Sequence, residues 1–219
     1  MKFFTFAKFG RTLLLSAVAA VLWFGCGDGA NPGGGGATTG GINNCGTDGT
    51  AGSCKTVPIG GKTWMAENLN YKTEDSWCYG DNPDSCAKYG RLYTWEAAKA
   101  ACQSVGMSLP TNEEWDALVT VADGEEIAGK KLKSTSGWFS NGNGADDFGF
   151  SALPGGYLYP ESPVDDAEFD GTGDIGYWWT ATEFDGGYAY FRSMSFNSNY
   201  VLEYHHGKSY GFSVRCVKN

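Results

Sequence analysis

Residues 94–122 read TWEAAKAACQSVGMSLPTNEEWDALVTVA, and this stretch decides the fold class. It contains two helix starts. Thr94 precedes WEAAKAAC, a run of good helix formers, and its hydroxyl can cap the first turn. Thr111-Asn112-Glu113-Glu114 is a capping box, with acidic side chains at the positive end of the helix. Trp115, Leu118, Val119 and Ala122 then recur at i, i+3, i+4 and i+7, so they share one face and Trp115 reads as core. Residues 125–133 read as a third, short helix.

Downstream the period changes from 3.6 to 2. YWWTATEF (177–184), GYAYFRSMSF (187–196), YVLEYH (200–205) and GFSVRCV (211–217) alternate as strands do. Upstream, TVPIGGKTW (56–64) reads as a hairpin turning at Gly60-Gly61. Helices followed by a strand-rich half predict an α+β domain. Between the halves, residues 138–176 show almost no periodicity. Gly142, Gly144, Gly149, Gly155, Gly156, Gly171 and Gly173 make that stretch read as exposed loop.

The amino terminus has another character. Lys2, Lys8 and Arg11 precede an uncharged apolar run from Leu13 to Phe24. That run is short for a bilayer span and has the length of a signal-peptide core. Gly25-Cys26 closes it and resembles a bacterial lipobox, with Trp23 where the usual pattern has Leu. The expectation is a signal peptide over 1–25 and lipidation at Cys26; the alternative is an ordinary secretory peptide. Residues 27–44, GDGANPGGGGATTGGINN, are costly to order and bury nothing, so 26–44 is expected to be a flexible linker and 45–219 one domain. The whole chain has net charge −9; without residues 1–25, which carry three basic and no acidic side chains, it has −12. A phosphate backbone would be repelled, which argues against nucleic acid as a partner.

Besides Cys26 there are Cys45, Cys54, Cys78, Cys86, Cys102 and Cys216, an even set that suits an oxidising compartment. Six cysteines allow 15 pairings, and spacing alone does not choose among them. The simplest set is 45–54 and 78–86, each closing a short loop, with 102–216 tying a helix to the last strand. A metal site is the weaker alternative. There is no paired CxxC, and the histidines are the adjacent His205 and His206.

The segments TVPIGGKTWMAENLNY (56–71), YGRLYTWEAAKAAC (89–102), LPTNEEWDALV (109–119), DDFGFSALPGGY (146–157), GYWWTATE (176–183) and GFSVRCV (211–217) resemble the Fibrobacter major paralogous domain, FISUMP, over nearly all of the chain after the linker. More distantly they resemble the C-type lectin-like fold, including its formylglycine-generating enzyme branch. That resemblance implies two main helices packed on short antiparallel sheets with long loops, and a helix-to-last-strand disulfide. It also implies export, with ligands bound by the loops.

Each chemistry the resemblance suggests can be tested on the residues. The formylglycine-generating oxidase needs two thiols close together near the carboxyl end, and the tail from Tyr177 has Cys216 alone. The iron-dependent branch needs a histidine cluster, but adjacent His205 and His206 point to opposite faces of a strand. Glycoside hydrolysis needs two carboxylates on rigid elements, one with a raised pKa. Asp165, Asp166, Glu168, Asp170 and Asp174 instead read as one solvated acidic loop. The Glu-Pro-Asn and Trp-Asn-Asp sequences of calcium-dependent lectin sites are missing, and Asp81-Asn82-Pro83-Asp84 reads as a turn. Asn141, Asn143, Asp146 and Asp147 offer oxygens in a glycine-rich loop, so the expectation is no cofactor, with Ca2+ the ion those four residues would take.

What remains is binding. Tyr177, Trp178, Trp179, Tyr188, Tyr190, Phe191, Tyr200 and Tyr204 crowd the last third. Trp178 and Trp179 cannot both face one core from a flat strand, so Trp178, Trp179, Tyr188 and Tyr190 are the candidate ligand residues, with Trp179 and the 165–174 loop as the favoured centre. The sequence thus predicts a non-catalytic binding or surface-display protein, lipid-anchored at the bacterial cell envelope, with carbohydrate or an envelope protein as partner. The alternative is an enzyme with its site in the 138–176 loops.

Overall fold

A computed structural model of the chain describes residues 54–160 and 168–218. The expected signal peptide, Cys26, the linker and Cys45 lie outside the described residues, as do Asp165 and Asp166. The fold is α+β, with four α-helices and ten strands among the described residues. In chain order these are β1 (Thr56–Ile59), β2 (Lys62–Met65), β3 (Ser76–Trp77), α1 (Pro83–Tyr89), β4 (Leu92–Tyr93), α2 (Trp95–Ser104), α3 (Asn112–Val121), α4 (Glu125–Leu132), β5 (Gly155–Tyr159), β6 (Glu168–Thr172), β7 (Ile175–Glu183), β8 (Tyr188–Ser195), β9 (Leu202–Gly207) and β10 (Val217–Lys218). They form sheets ordered β1-β2-β10, β3-β4 and β6-β5-β7-β8-β9. No helix among the described residues is long and apolar enough to cross a membrane.

The local signals in the 94–122 stretch act as read. The Thr94 hydroxyl accepts from the Ala97 amide, and Thr111 and Glu114 close the reciprocal capping box. Gly60 and Gly61 both take positive φ, as a two-residue hairpin turn requires. Asp81-Asn82-Pro83-Asp84 is not just a turn: Asn82 accepts from the Asp84 amide and Pro83 opens α1. Asn and Pro serve a helix start as well as a turn, the proline because its missing N–H is not needed in the first helical turn.

The stretch 138–176 is less loop than its glycines suggest. It contributes β5, β6 and the start of β7, and it buries Trp138, Phe150 and Ala152. Glycine hides these strands from a pattern search because it has no side chain to alternate. Its role at Gly156 is steric: φ is 67°, and a Cβ there would lie 2.4 Å from the Asp170 carbonyl oxygen of the paired strand. The five-stranded sheet also departs from the expected antiparallel order, since β5 joins β7 in parallel at Gly156 and Gly176.

Strand β7 has core on both faces. Trp178 packs on one side with Trp64, Trp115 and Phe150, and Trp115 and Phe150 approach to 5.7 Å between ring centroids. Trp179 packs on the other side with Trp95, Phe191 and Phe212, its ring 4.3 Å from Phe212. Each tryptophan also places its indole N–H, Trp178 on Asn68 Oδ1 at 2.9 Å and Trp179 on the Tyr93 carbonyl at 2.8 Å.

Covalent and polar ties join distant segments. Cys78–Cys86 and Cys102–Cys216 form as expected, the second spanning 114 residues of sequence. The expected 45–54 pair involves Cys45, outside the described residues. Arg215 is fully buried beside Phe150 and donates to Asn68 Oδ1 at 2.7 Å, Met65 O at 3.0 Å, Ser151 O at 2.7 Å and Phe150 O. Lys133, also buried, donates to the Ser195 and Ser198 carbonyls and so holds the turn after β8.

Candidate functional site: a tyrosine trough on the sheet

Strand alternation puts Ile175, Tyr177 and Trp179 of β7 on one face of the five-stranded sheet. Register adds Phe191, Ser193 and Ser195 from β8, then Leu202, Tyr204 and His206 from β9. Tyr157 and Tyr159 enter from β5, opposite Asp170 and Glu168 of β6. The chain before β10 covers part of this face. Gly211 pairs with Leu158, and Phe212 packs on Phe191 at 4.9 Å and on Tyr177 at 5.1 Å. Beside Phe212 the face meets solvent, where Tyr159 is 40%, Tyr200 40% and Tyr204 54% exposed.

Two shallow cavities open there. One, of about 190 Å³, lies among Tyr177, Phe191, Ser193, Tyr200, Leu202 and Tyr204. The other, of about 100 Å³, lies among Tyr157, Tyr159, Tyr177, His206, Tyr210 and Phe212. The aromatic walls brace one another edge to face. Tyr177 stands at 90° to Tyr157 and at 74° to Phe191, with centroids 5.1 and 5.2 Å away. Tyr210 packs on Tyr159 at 5.5 Å and on His206 at 3.7 Å.

Burial disfavours charge on Tyr157, Tyr177, His206 and Tyr210. Burial raises the Tyr157 phenol pKa, and its hydrogen bond to Tyr159 and the nearby Asp170 charge raise it further. The Tyr157 hydroxyl lies 3.0 Å from the Tyr159 hydroxyl and donates to Asp170 Oδ2 at 3.2 Å. Burial likewise raises Tyr177 and Tyr210. It lowers His206, with the neighbouring His205 adding to the effect. The trough therefore offers ring faces and uncharged hydrogen-bonding groups.

The model of the Fibrobacter succinogenes major domain matches residues 57–218. The chain belongs to this family. No curated protein matches it, and no solved structure does. The Fibrobacter succinogenes major domain in this chain runs from β1 into β10, so it contains the trough, both described disulfides and the double core around β7.

Within the domain the four aromatic residues named from sequence do not converge. Trp178 and Trp179, named as candidate ligand residues, are both 0% exposed and belong to the core. Alternation does send them to opposite faces, but both faces are covered there. Tyr188 is 46% exposed and Tyr190 half-buried, and alternation puts both on the face away from the trough. Tyr188 packs edge-on to His205 and Tyr190 edge-on to Phe184, while Phe184 stacks on His205 at 3.7 Å.

Three of the four proposed oxygen ligands, Asn143, Asp146 and Asp147, have protein partners. Asn143 Oδ1 accepts from the Trp138 amide, and the Asp146 carboxylate accepts from the Ser151 amide and hydroxyl. Asp147 faces Lys131 at 3.9 Å, and Asn141 sits at positive φ in the adjoining turn. Among the described residues no group of three or more His, Cys, Asp and Glu is arranged to hold a metal ion. Of the acidic loop, Glu168 and Asp170 belong to β6, and Asp174 lies in the turn between β6 and β7. Sequence reading missed Tyr157, Tyr159, His206 and Tyr210. The available signal was the YLY alternation at 157–159 inside a stretch dominated by glycine.

Proposed function

We propose that this chain is an exported, lipid-anchored, non-catalytic binding module that takes carbohydrate on the tyrosine trough. The observation that carries the proposal is the row of solvent-facing tyrosine rings with hydroxyls between them. Sugar rings present apolar faces flanked by hydroxyls, and such a surface meets both by stacking and by hydrogen bonding. The rings are held by packing against one another, so little side-chain freedom remains to be lost on binding. We also propose a C-type lectin-like frame, supported by helices α2 and α3 and by the Cys102–Cys216 bond between α2 and the chain's end.

A glycan array probed with the full chain, with and without calcium, tests the ligand class. Binding is expected to persist in chelator and to weaken about tenfold or more in Tyr204→Ala. The ring is largely exposed, so the fold should be unchanged by circular dichroism. Retention of no glycan, or retention that Tyr204→Ala leaves intact, would count against the trough.

Export and anchoring rest on the basic start, the apolar run, Gly25-Cys26 and the disulfides. In cells fed a fatty-acid analogue the protein should become labelled, and Cys26→Ser should abolish the label. A label that persists in Cys26→Ser would remove lipidation from the proposal.

A further inference from the structure

We infer that the trough is a two-subsite groove for an uncharged, extended oligosaccharide, one sugar ring lying in each cavity; this rests on the carbohydrate proposal above. The two cavities are not independent. Tyr177 and Phe191 line both, so the two cavities adjoin across a shared wall. Together the cavities hold about 290 Å³. Pockets for drug-sized molecules hold roughly 300–1,000 Å³. Each cavity alone is therefore a shelf for one small ring, and useful affinity needs both.

The chemistry of the walls selects against charge. Neither lining contains Asp, Glu, Lys or Arg. The chain as a whole is acidic, at −9, and gives an anionic ligand no local compensation. A cationic ligand would have to compete for Asp170, which already accepts from Tyr157. An uncharged ligand with many hydroxyls has partners at both ends. Ser193, Ser195 and Ser198 stand with Tyr204 in the larger cavity, and Tyr157, Tyr159, His206 and Tyr210 in the smaller. The anchoring rings at the two ends, Tyr204 and Tyr159, come from β9 and β5 at opposite sides of β7 and β8, so the ligand must run across the strands.

Calorimetric titration of the full chain with neutral gluco-, manno- and xylo-oligosaccharides of one to six units, and with oligogalacturonates of the same lengths, tests this. For at least one neutral series, affinity is expected to rise about 100-fold between the monosaccharide and the longer members, because the second ring binds intramolecularly. Tyr204→Ala and Tyr159→Ala should each reduce the long ligand's affinity about tenfold or more and flatten the length dependence. A monosaccharide that binds as tightly as the hexamer would overturn the two-subsite inference and leave carbohydrate binding standing. Tighter binding of the galacturonates would overturn the uncharged ligand. If no oligosaccharide of any length binds, or if the trough instead buries itself against a second copy in sedimentation, both proposals fall.

Discussion

Arg215→Met is expected to destabilise the domain by about 3–5 kcal/mol, a large fraction of the roughly 5–15 kcal/mol that holds a domain of this kind folded. The guanidinium is fully buried and joins three segments of chain: Met65 at the end of β2 with Asn68 just beyond it, Phe150 and Ser151 before β5, and its own position ahead of β10. Burial pushes its pKa below the usual guanidinium value, an effect that Asp146 and Glu67 partly offset. The cation is tolerated because its planar fork meets three carbonyls and an amide oxygen at once. Methionine fills much of the volume but leaves the Met65, Phe150 and Ser151 carbonyls without that donor, each at a cost of about 1–3 kcal/mol if water cannot reach it. Lysine in this place should recover only part of the loss, since a single ammonium cannot reproduce the fork. Urea melts of wild type, Arg215→Met and Arg215→Lys measure this. A loss under about 1 kcal/mol in Arg215→Met would show that the joined segments hold their places without the network.

What the sequence disclosed divides by range. Caps act within four residues, so Thr94 and the Thr111–Glu114 box announced α2 and α3, and Gly60-Gly61 announced the first hairpin. Both disulfides seen here follow from the simplest pairing. The failures come from partners far away in sequence. Asp81–Asp84 is an exception: its signals, Asn82 as cap and Pro83 at the first helical position, are local and suit a turn as well as a helix start. Glycine at 155 and 156 reads as loop until the other chain segments are in place; a Cβ at Gly155 would lie 2.9 Å from Ser213 Oγ. Alternation correctly separated Trp178 from Trp179, but it cannot report that residues 64, 115 and 150 cover one face while 95 and 212 cover the other. The trough has the same difficulty in a sharper form. Tyr157, Tyr177, Tyr204 and Tyr210 sit on three strands and one crossing segment, and only the sheet order brings them side by side.

Trp178→Ala and Trp179→Ala are each expected to cost about 3–5 kcal/mol, the usual range for removing a large aromatic from a close-packed core. The two should fail for different reasons. Trp178 is seated over Gly176, where a Cβ would lie 2.3 Å from its ring, and its indole N–H shares Asn68 Oδ1 with Arg215. Its loss opens the tryptophan-rich side and leaves the Arg215 network one donor short. Trp179 packs on Phe212 and Phe191, the residues on which the inner wall of the trough is built. Its loss should therefore loosen Phe212 and weaken ligand binding even at temperatures where the variant remains folded, whereas Trp178→Ala should lower stability with little effect on affinity below its melting point. Paired thermal melts and titrations separate the two. A folded Trp179→Ala protein with an unchanged melting point and abolished binding would mean that this ring touches the ligand itself, and that the site is centred on β7 rather than on the row of tyrosines beside it.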